Sequence, residues 1–196
     1  MIKKFMLVIV IFLTLCLTGC GKNDIDSLGE NIKKMELTGN LVTYKAYYHN
    51  VIEYEKKAGT GITHIFEKDR KLFVEYTGTI KLGIDLSKVK ITVSGNEVNV
   101  FLPSATIIGE PNVDKDDFKE ENFIESKDGI NSNKITLEDS SMAFDEAQKN
   151  IKEITLNDRE LLLLAQKRAK VIIEENIKQF ALISSDKYVI NFEYEQ

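Results

Sequence analysis

The chain has 196 residues, a formal net charge of −5 at pH 7 and an apolar content of 43%. That apolar content is enough for a packed core and argues against global disorder. An acidic chain with interspersed lysines is also a poor candidate for binding nucleic acid, because phosphate binding depends on clustered Lys and Arg.

The first 19 residues have the pattern of a secretory signal peptide. Two lysines precede an apolar run from residue 5 to residue 17, shorter than the roughly 20 residues that a membrane-spanning helix needs. The run ends in Leu17-Thr18-Gly19-Cys20, which resembles the bacterial lipobox. The resemblance implies cleavage before Cys20 and attachment of acyl chains such as palmitate to this residue.

An acylated Cys20 predicts both a cellular location and a partner, the lipid bilayer. Two or three acyl chains, at about 0.8 kcal/mol per buried CH₂, hold a protein stably in a lipid bilayer. We therefore expect the protein at the extracytoplasmic face of the cell membrane, with no disulfide because Cys16 leaves with the signal peptide. The alternative is an uncleaved N-terminal anchor with an incidental cysteine.

The rest of the chain divides into two parts. Residues 20–39 are predicted to form a flexible tether, and residues 40–196 a single domain.

Period-two alternation predicts strands across much of the next part of the chain. The clearest segment is residues 72–86, where the even positions are apolar apart from Gly78 and most odd positions are polar. Gly78 and Gly83 within it indicate a bulge or a bend, with close approach of a ligand to the backbone as the alternative. Further strands are predicted on both sides of this segment, including a short one at residues 62–66.

The last third of the chain changes to helical periodicity. After a solvated stretch without alternation, apolar residues from Ala143 to Ile154 share one face of a helix, with Asp139 or Ser140 as its N-cap. A longer helix follows from about residue 158 to residue 180, and alternation returns at the C-terminus. The sequence thus predicts an α+β fold, in which an antiparallel sheet of about six to eight strands packs against one long and one shorter C-terminal helix, with a final C-terminal strand.

Three segments together resemble a bacterial family, the domain of unknown function 4230 family. They are residues 41–56, residues 71–90 with 98–107 after them, and the late alanine-containing helix. The block from Glu75 to Leu86 is the most specific part, and the resemblance covers about residues 40 to 182. It implies an N-terminal membrane anchor but no reaction, cofactor or catalytic residue.

Three residues form the candidate binding surface. Tyr47 and Phe73 are aromatic residues on the largely polar faces of their strands, and His49 lies beside Tyr47. The alternative is that the long helix or residues 114–136 cover these aromatic side chains.

The histidines do not predict a metal site. His49 and His64 are the only histidines and have no companion at ligand spacing. Calcium at the acidic residues 114–121 is disfavoured because no EF-hand loop is present.

The leading hypothesis for function is a non-catalytic module that binds an envelope protein or a cell-wall component. One alternative is an envelope hydrolase with a carboxylate pair drawn from Glu53, Glu55, Glu75 and Asp85. Another is a small-molecule carrier or sensor with an apolar cavity between sheet and helices. The sequence predicts no catalytic residue and no cofactor.

Overall fold

A ribbon of two long antiparallel strands runs through the fold. The computed structural model of the chain describes residues 37–125, 129–184 and 188–195. Strand β1 (Asn40–Lys56) pairs with β2 (Arg70–Asp85) over almost its full length. One face of this ribbon is covered and the other is open to solvent, which explains the alternation in the sequence. We call these the inner face and the outer face.

The remaining strands are short and divide between two sheets. They are β3 (Lys90–Ser94), β4 (Glu97–Leu102), β5 (Thr106–Ile107), β6 (Asn112–Val113), β7 (Ile124–Glu125) and β8 (Val189–Tyr194). The first sheet contains the ribbon, with β5, β6 and β7 paired along the other edge of β2. The second sheet has the order β3-β4-β8. The predicted final strand is confirmed, and it runs parallel to β4 because a helical connection leads back to the sheet.

Two helices follow β7, which confirms the predicted class. Helix α1 spans Leu137–Asn157 and the longer α2 spans Arg159–Ser184. The Thr136 hydroxyl accepts a hydrogen bond from the Asp139 amide, and the Asp139 carboxylate accepts one from the Thr136 amide. This capping box satisfies amides of the first turn. The N-cap predicted at Asp139 or Ser140 is therefore wrong by about one turn, and Asp139 acts from inside the helix.

Small helix residues allow the helices to lie close to large side chains of the strands. Ala143, Ala147 and Ala165 are fully buried. They share one hydrophobic cluster with inner-face residues of β2, namely Leu72, Val74, Tyr76, Ile80 and Leu82. A second cluster joins the second sheet to α2 through Ala169 and Ile173. Removal of this apolar surface from water is the main force that holds sheets and helices together.

The two glycines of β2 make room for neighbouring protein atoms. A Cβ atom on Gly83 would lie 1.9 Å from the carbonyl oxygen of Leu41, close to the register shift in β1. A Cβ atom on Gly78 would lie 2.5 Å from Cδ1 of Ile151 in α1. The predicted irregularity is therefore found opposite Gly83, where β1 shifts register, whereas Gly78 makes room for a helix side chain, and neither glycine needs a ligand to explain it.

The strand predicted at residues 62–66 is wrong. Ile62–His64 form a 3-10 turn that begins after Gly61, whose φ of 102° is a conformation that glycine adopts readily. Ile65 and Phe66 are both 68% exposed. An alternating segment forms a strand only where it can pair with the edge of another strand. Residues 62–66 belong instead to the loop that joins β1 to β2.

Candidate functional site on the outer face

The outer face of the ribbon brings Tyr47 and His49 together. Their side chains lie two residues apart on β1, opposite Thr79 and Thr77 of β2. Tyr47 is 75% exposed, so the alternative that a helix covers it is wrong. His49 Nε2 lies 2.5 Å from Glu75 Oε1, which holds the imidazole on the strand surface.

Phe73, the third residue of the predicted surface, lies elsewhere on the ribbon. It pairs with Glu53 of β1 and with strand β7, and its side chain is half-buried. Its distance along β2 from Thr79 is six residues, or about 20 Å at 3.3 Å per residue. The structure thus places Tyr47 with His49 and separates Phe73 from both.

An open cleft of about 670 Å³ lies beside Tyr47. Its polar lining includes Tyr47, Thr77, Thr79, Asn112, Asp114 and Lys115. Tyr47 pairs with Thr79, and Thr79 pairs with Asn112, so these three form one row across three strands. Phenol, hydroxyl and amide groups can each donate and accept hydrogen bonds, and the row places them next to an exposed aromatic ring.

The segment after β6 forms the second wall of the cleft and is held by hydrogen bonds. The Asp114 amide donates to the Thr77 carbonyl at 3.0 Å. Asp114 Oδ1 accepts from the Asp116 amide at the start of a 3-10 turn. Asp117 Oδ2 accepts from the amide and the hydroxyl of Thr77, at 2.8 and 3.1 Å. Phe118 then enters the main core, which fixes the wall relative to the sheet.

These contacts also account for the three aspartates of the acidic cluster that the sequence raised as a calcium candidate. Asp114 and Asp117 serve as hydrogen-bond acceptors of the fold, and Asp116 pairs with Lys119 at 3.0 Å. Among the described residues, no group of three or more His, Cys, Asp or Glu is placed to hold a metal ion. His64 lies in the β1–β2 loop with its own glutamate partner, Glu67, at 2.8 Å.

The carboxylates considered for hydrolysis each have a partner within the fold. The pairs are Glu53–Lys71 at 2.6 Å, Glu55–Lys57 at 2.7 Å, Glu75–His49 at 2.5 Å and Asp85–Ser87 at 2.6 Å. Hydrogen bonds from the Ser87 hydroxyl and amide lower the pKa of Asp85. A general acid in glycoside hydrolysis instead requires a raised pKa.

Two lysines beside the cleft face each other across the ribbon. Lys45 lies directly opposite Lys81 on the outer face, and its Nζ is 5.0 Å from the centre of the Tyr47 ring. Neither lysine forms a salt bridge with any carboxylate in the part of the chain that the structure describes. Like charges directly opposite on neighbouring strands are unfavourable. This end of the outer face therefore favours an incoming negative group.

Most of the cleft is missed by the sequence analysis. Thr77 and Thr79 stand on the polar face of β2 and look like ordinary solvated strand residues. Asn112 belongs to a two-residue strand, which is too short to recognise from periodicity. Gly78, between the two threonines, gives no signal for the cleft, because it makes room for Ile151 on the inner face.

A comparison with family models identifies the family of this chain. The model of a family described as protein of unknown function (DUF4230) matches residues 33–184. The chain belongs to the DUF4230 family. In this DUF4230 protein the match includes the ribbon, both helices and the whole lining of the cleft, and ends before β8. No curated protein and no solved structure matches the chain.

The predicted lipobox of this DUF4230 protein lies outside the described residues. Leu17, Thr18, Gly19 and Cys20 therefore stay a sequence-based prediction. Within residues 37–125, 129–184 and 188–195, no helix is long and apolar enough to cross a membrane.

Proposed function

We propose that the protein is a lipoprotein of the cell envelope that binds a cell-wall carbohydrate in the cleft beside Tyr47. The proposal has two parts, a location at the membrane and a binding activity. The location at the membrane is supported by the Leu17–Cys20 pattern after a short apolar run. The binding activity is supported by the chemistry of the cleft.

The row formed by Tyr47, Thr79 and Asn112 carries the proposal for binding. A sugar ring has a face of C–H groups and a rim of hydroxyls. The exposed ring of Tyr47 offers a flat apolar surface, while Thr79 and Asn112 offer hydrogen-bond donors and acceptors at the same rung. The volume of about 670 Å³ lies within the range of small-ligand sites.

The two alternatives have less support. A carrier would hold its ligand between sheet and helices, but Leu72, Tyr76 and Ile151 occupy that space with no exposed surface. A hydrolase would need a carboxylic acid that keeps its proton near neutral pH, and the candidate acids are engaged by lysine, histidine or serine.

Retention on purified cell-wall glycan tests the binding. We expect the full chain, solubilised in detergent, to be retained, and Tyr47→Ala and Asn112→Ala to lose retention. Tyr194→Ala is the matched control, since Tyr194 is 44% exposed on a strand of the other sheet. Equal retention of all four proteins would contradict the proposal. Release of soluble sugar by the wild-type chain would favour the hydrolase instead.

Fractionation of cells tests the predicted location at the membrane. Cys20→Ala removes the predicted acylation site and should move the protein from the membrane to the soluble fraction. Cys16→Ala is the matched control, because this cysteine lies within the predicted signal peptide. Membrane attachment that survives Cys20→Ala would rule out the lipid anchor and favour an uncleaved N-terminal segment.

A further inference from the structure

Strand β1 has a hydrogen-bonding edge that no described strand occupies. In the described residues it lies at the end of the first sheet and pairs only with β2. Proteins commonly shorten, bulge or cover such an edge, because it can template pairing with another chain. Here β1 is 17 residues long, and its one register shift, between Val42 and Tyr44, lies near its start. Residues 45–55 therefore form a long and regular edge.

The hydrogen bonds of β2 show which residues of β1 direct their amides to this edge. The Thr77 carbonyl accepts from the Asp114 amide at 3.0 Å, and the Lys81 carbonyl accepts from the Ile108 amide at 2.8 Å. Odd residues of β2 therefore bond away from β1, and even residues bond toward it. Even residues of β2 pair with even residues of β1. The odd residues of β1 are left with N–H and C=O groups that point to the open edge.

The side chains of these odd residues form an ordered charge pattern. In chain order they are Lys45, Tyr47, His49, Val51 and Glu53. The series is basic at one end, aromatic and apolar in the middle, and acidic at the other end. Tyr47 and Val51 are 75% and 62% exposed. Lys45 faces Lys81 and lacks a carboxylate partner within the described residues.

We infer that β1 pairs with β1 of a second copy of this chain, antiparallel about a two-fold axis at His49. In this register Lys45 lies opposite Glu53 of the second copy, and Tyr47 lies opposite Val51 of the second copy. Each of these odd residues then exchanges two backbone hydrogen bonds with the residue opposite. Opposite charges and an aromatic residue facing a β-branched one are favourable cross-strand pairs.

Other pairings match the pattern less well. A parallel arrangement in register would place Lys45 beside Lys45. An antiparallel register shifted by two residues places Tyr47 opposite Glu53 in one direction and Lys45 opposite Val51 in the other. Among these pairings of β1 with itself, the antiparallel register about His49 is the best matched, and this self-complementarity supports a second copy as the partner. The pair would join the two sheets into one continuous sheet, with the four long strands of the two ribbons antiparallel at its centre and both outer faces on the same side.

Thiol crosslinking in membranes that contain the full chain tests the register. His49→Cys places two thiols opposite each other at the axis, so oxidation should give a covalent dimer. Lys45→Cys is the matched control on the same edge, because its two thiols would lie about 26 Å apart, eight residues at 3.3 Å each. It should stay uncrosslinked alone, and mixing it with Glu53→Cys chains should restore the dimer. Equal crosslinking of Lys45→Cys and His49→Cys, or crosslinks only to another protein, would overturn the inference.

The mass of the full chain in detergent provides a second test. The Val51 amide points to the open edge, so Val51→Pro removes no bond of the β1–β2 ladder but blocks pairing with a second copy. We expect twice the monomer mass for the wild type and a shift to the monomer mass for Val51→Pro. Val51→Lys keeps the amide and should give the same shift, since an edge lysine opposes pairing. A wild type of monomer mass would overturn the inference. Neither readout involves carbohydrate, so the result is separable from that of the proposed function.

Discussion

The two faces of the β1–β2 ribbon differ in almost every property although the same two strands build them. On the inner face, Leu72, Tyr76 and Ile80 have at most 1% of their surface exposed. On the outer face, Tyr47 and Val51 have more than half of theirs exposed. Alternation of side chains in a strand makes this possible, since neighbouring residues belong to opposite environments.

This difference implies a division of roles between the faces. The inner face supplies the apolar burial that stabilises the fold, whereas the outer face supplies the cleft and the open edge. Substitutions on the inner face should therefore lower the free energy of unfolding and leave surface chemistry unchanged. Substitutions of exposed side chains on the outer face should do the reverse, and the comparison of Tyr48 with Tyr47 below tests this separation.

The largest effect is expected from the helix residue that packs on the inner face. Ile151 is fully buried and its Cδ1 lies over Gly78, whereas Ile154, one turn on, is 41% exposed. Ile151→Ala should lower the free energy of unfolding by about 4 kcal/mol, through lost burial and the cavity that remains. Ile154→Ala is the control and should cost less than about 1 kcal/mol. Urea denaturation measures both, and equal costs would mean that α1 packs through another face.

The second prediction concerns the glycines of β2. Gly83→Ala should cost about 3 kcal/mol, because the new Cβ meets the backbone oxygen of Leu41, which can move only with its strand. Gly78→Ala meets the tip of Ile151, a flexible side chain, and should cost less. Combining Gly78→Ala with Ile151→Val, which removes that tip, should cost less than the sum of the two single changes. Additive costs in this cycle would show that Gly78 is needed for another reason.

The architecture was predictable to the extent that it depends on local pattern. Alternation in residues 72–86 identifies β2 and assigns its inner face, and the helical spacing of Ala143 to Ile151 identifies α1. The prediction that Ile154 shares the buried face is wrong, since Ile154 is 41% exposed and Thr155 is buried instead. Both signals reflect burial of one side of an element, which the order of residues records directly. Strands β5, β6 and β7 have two residues each, too few to show a period, so their places depend on tertiary contacts.

The site was less predictable than the fold because it depends on register. Tyr47 and Phe73 both belong to the outer face, as their positions indicate, but the pairing of the strands puts them about 20 Å apart. Only the pairing of β6 with β2 brings Asn112 beside Thr79. A shift of pairing by two residues preserves every face assignment while changing every neighbour, so alternation carries no information on this point.

The third prediction concerns a buried charge at the edge of the inner face. Asp139 is 5% exposed and its Oδ2 lies 2.5 Å from Lys56 Nζ. Burial alone would raise the pKa of Asp139, but hydrogen bonds from Lys56 and Thr136 outweigh it and lower the pKa. Asp139→Asn should cost about 2 kcal/mol at neutral pH, because it leaves the Lys56 charge without its partner.

The lowered pKa also sets the sign of a pH dependence. A carboxyl whose pKa is lower in the folded state stabilises the fold above its unfolded pKa, and this contribution is lost as the pH falls through the folded value. The free energy of unfolding should therefore fall below about pH 4, the ordinary range of an aspartate. Asp139→Asn should show a shallower fall, whereas Asp145→Asn, an exposed position on the same helix, should retain it. Identical acid profiles for all three proteins would exclude Asp139 as the titrating group.

The smallest predicted effect comes from Tyr48→Phe, and Tyr47→Phe is its control. Each substitution removes one hydroxyl oxygen, and the two tyrosines are adjacent in the chain. The Tyr48 hydroxyl lies 2.7 Å from Thr155 Oγ1, which is itself 2.6 Å from the Ile151 carbonyl. Thr155 has a single proton and donates it to that carbonyl, so the Tyr48 hydroxyl is the donor to Thr155. Tyr48→Phe should cost about 1 kcal/mol, because it leaves a fully buried oxygen short of one bond.

Tyr47→Phe makes the same chemical change on the outer face and should alter the free energy of unfolding by less than about 0.5 kcal/mol. Paired denaturation curves of the two variants measure the difference directly, since sequence neighbourhood and atoms removed are the same. The Tyr47 ring remains in the phenylalanine variant, so any loss of carbohydrate retention would belong to the hydroxyl alone. A cost for Tyr47→Phe equal to that for Tyr48→Phe would mean that the outer face also stabilises the fold, and the division between the faces would fail.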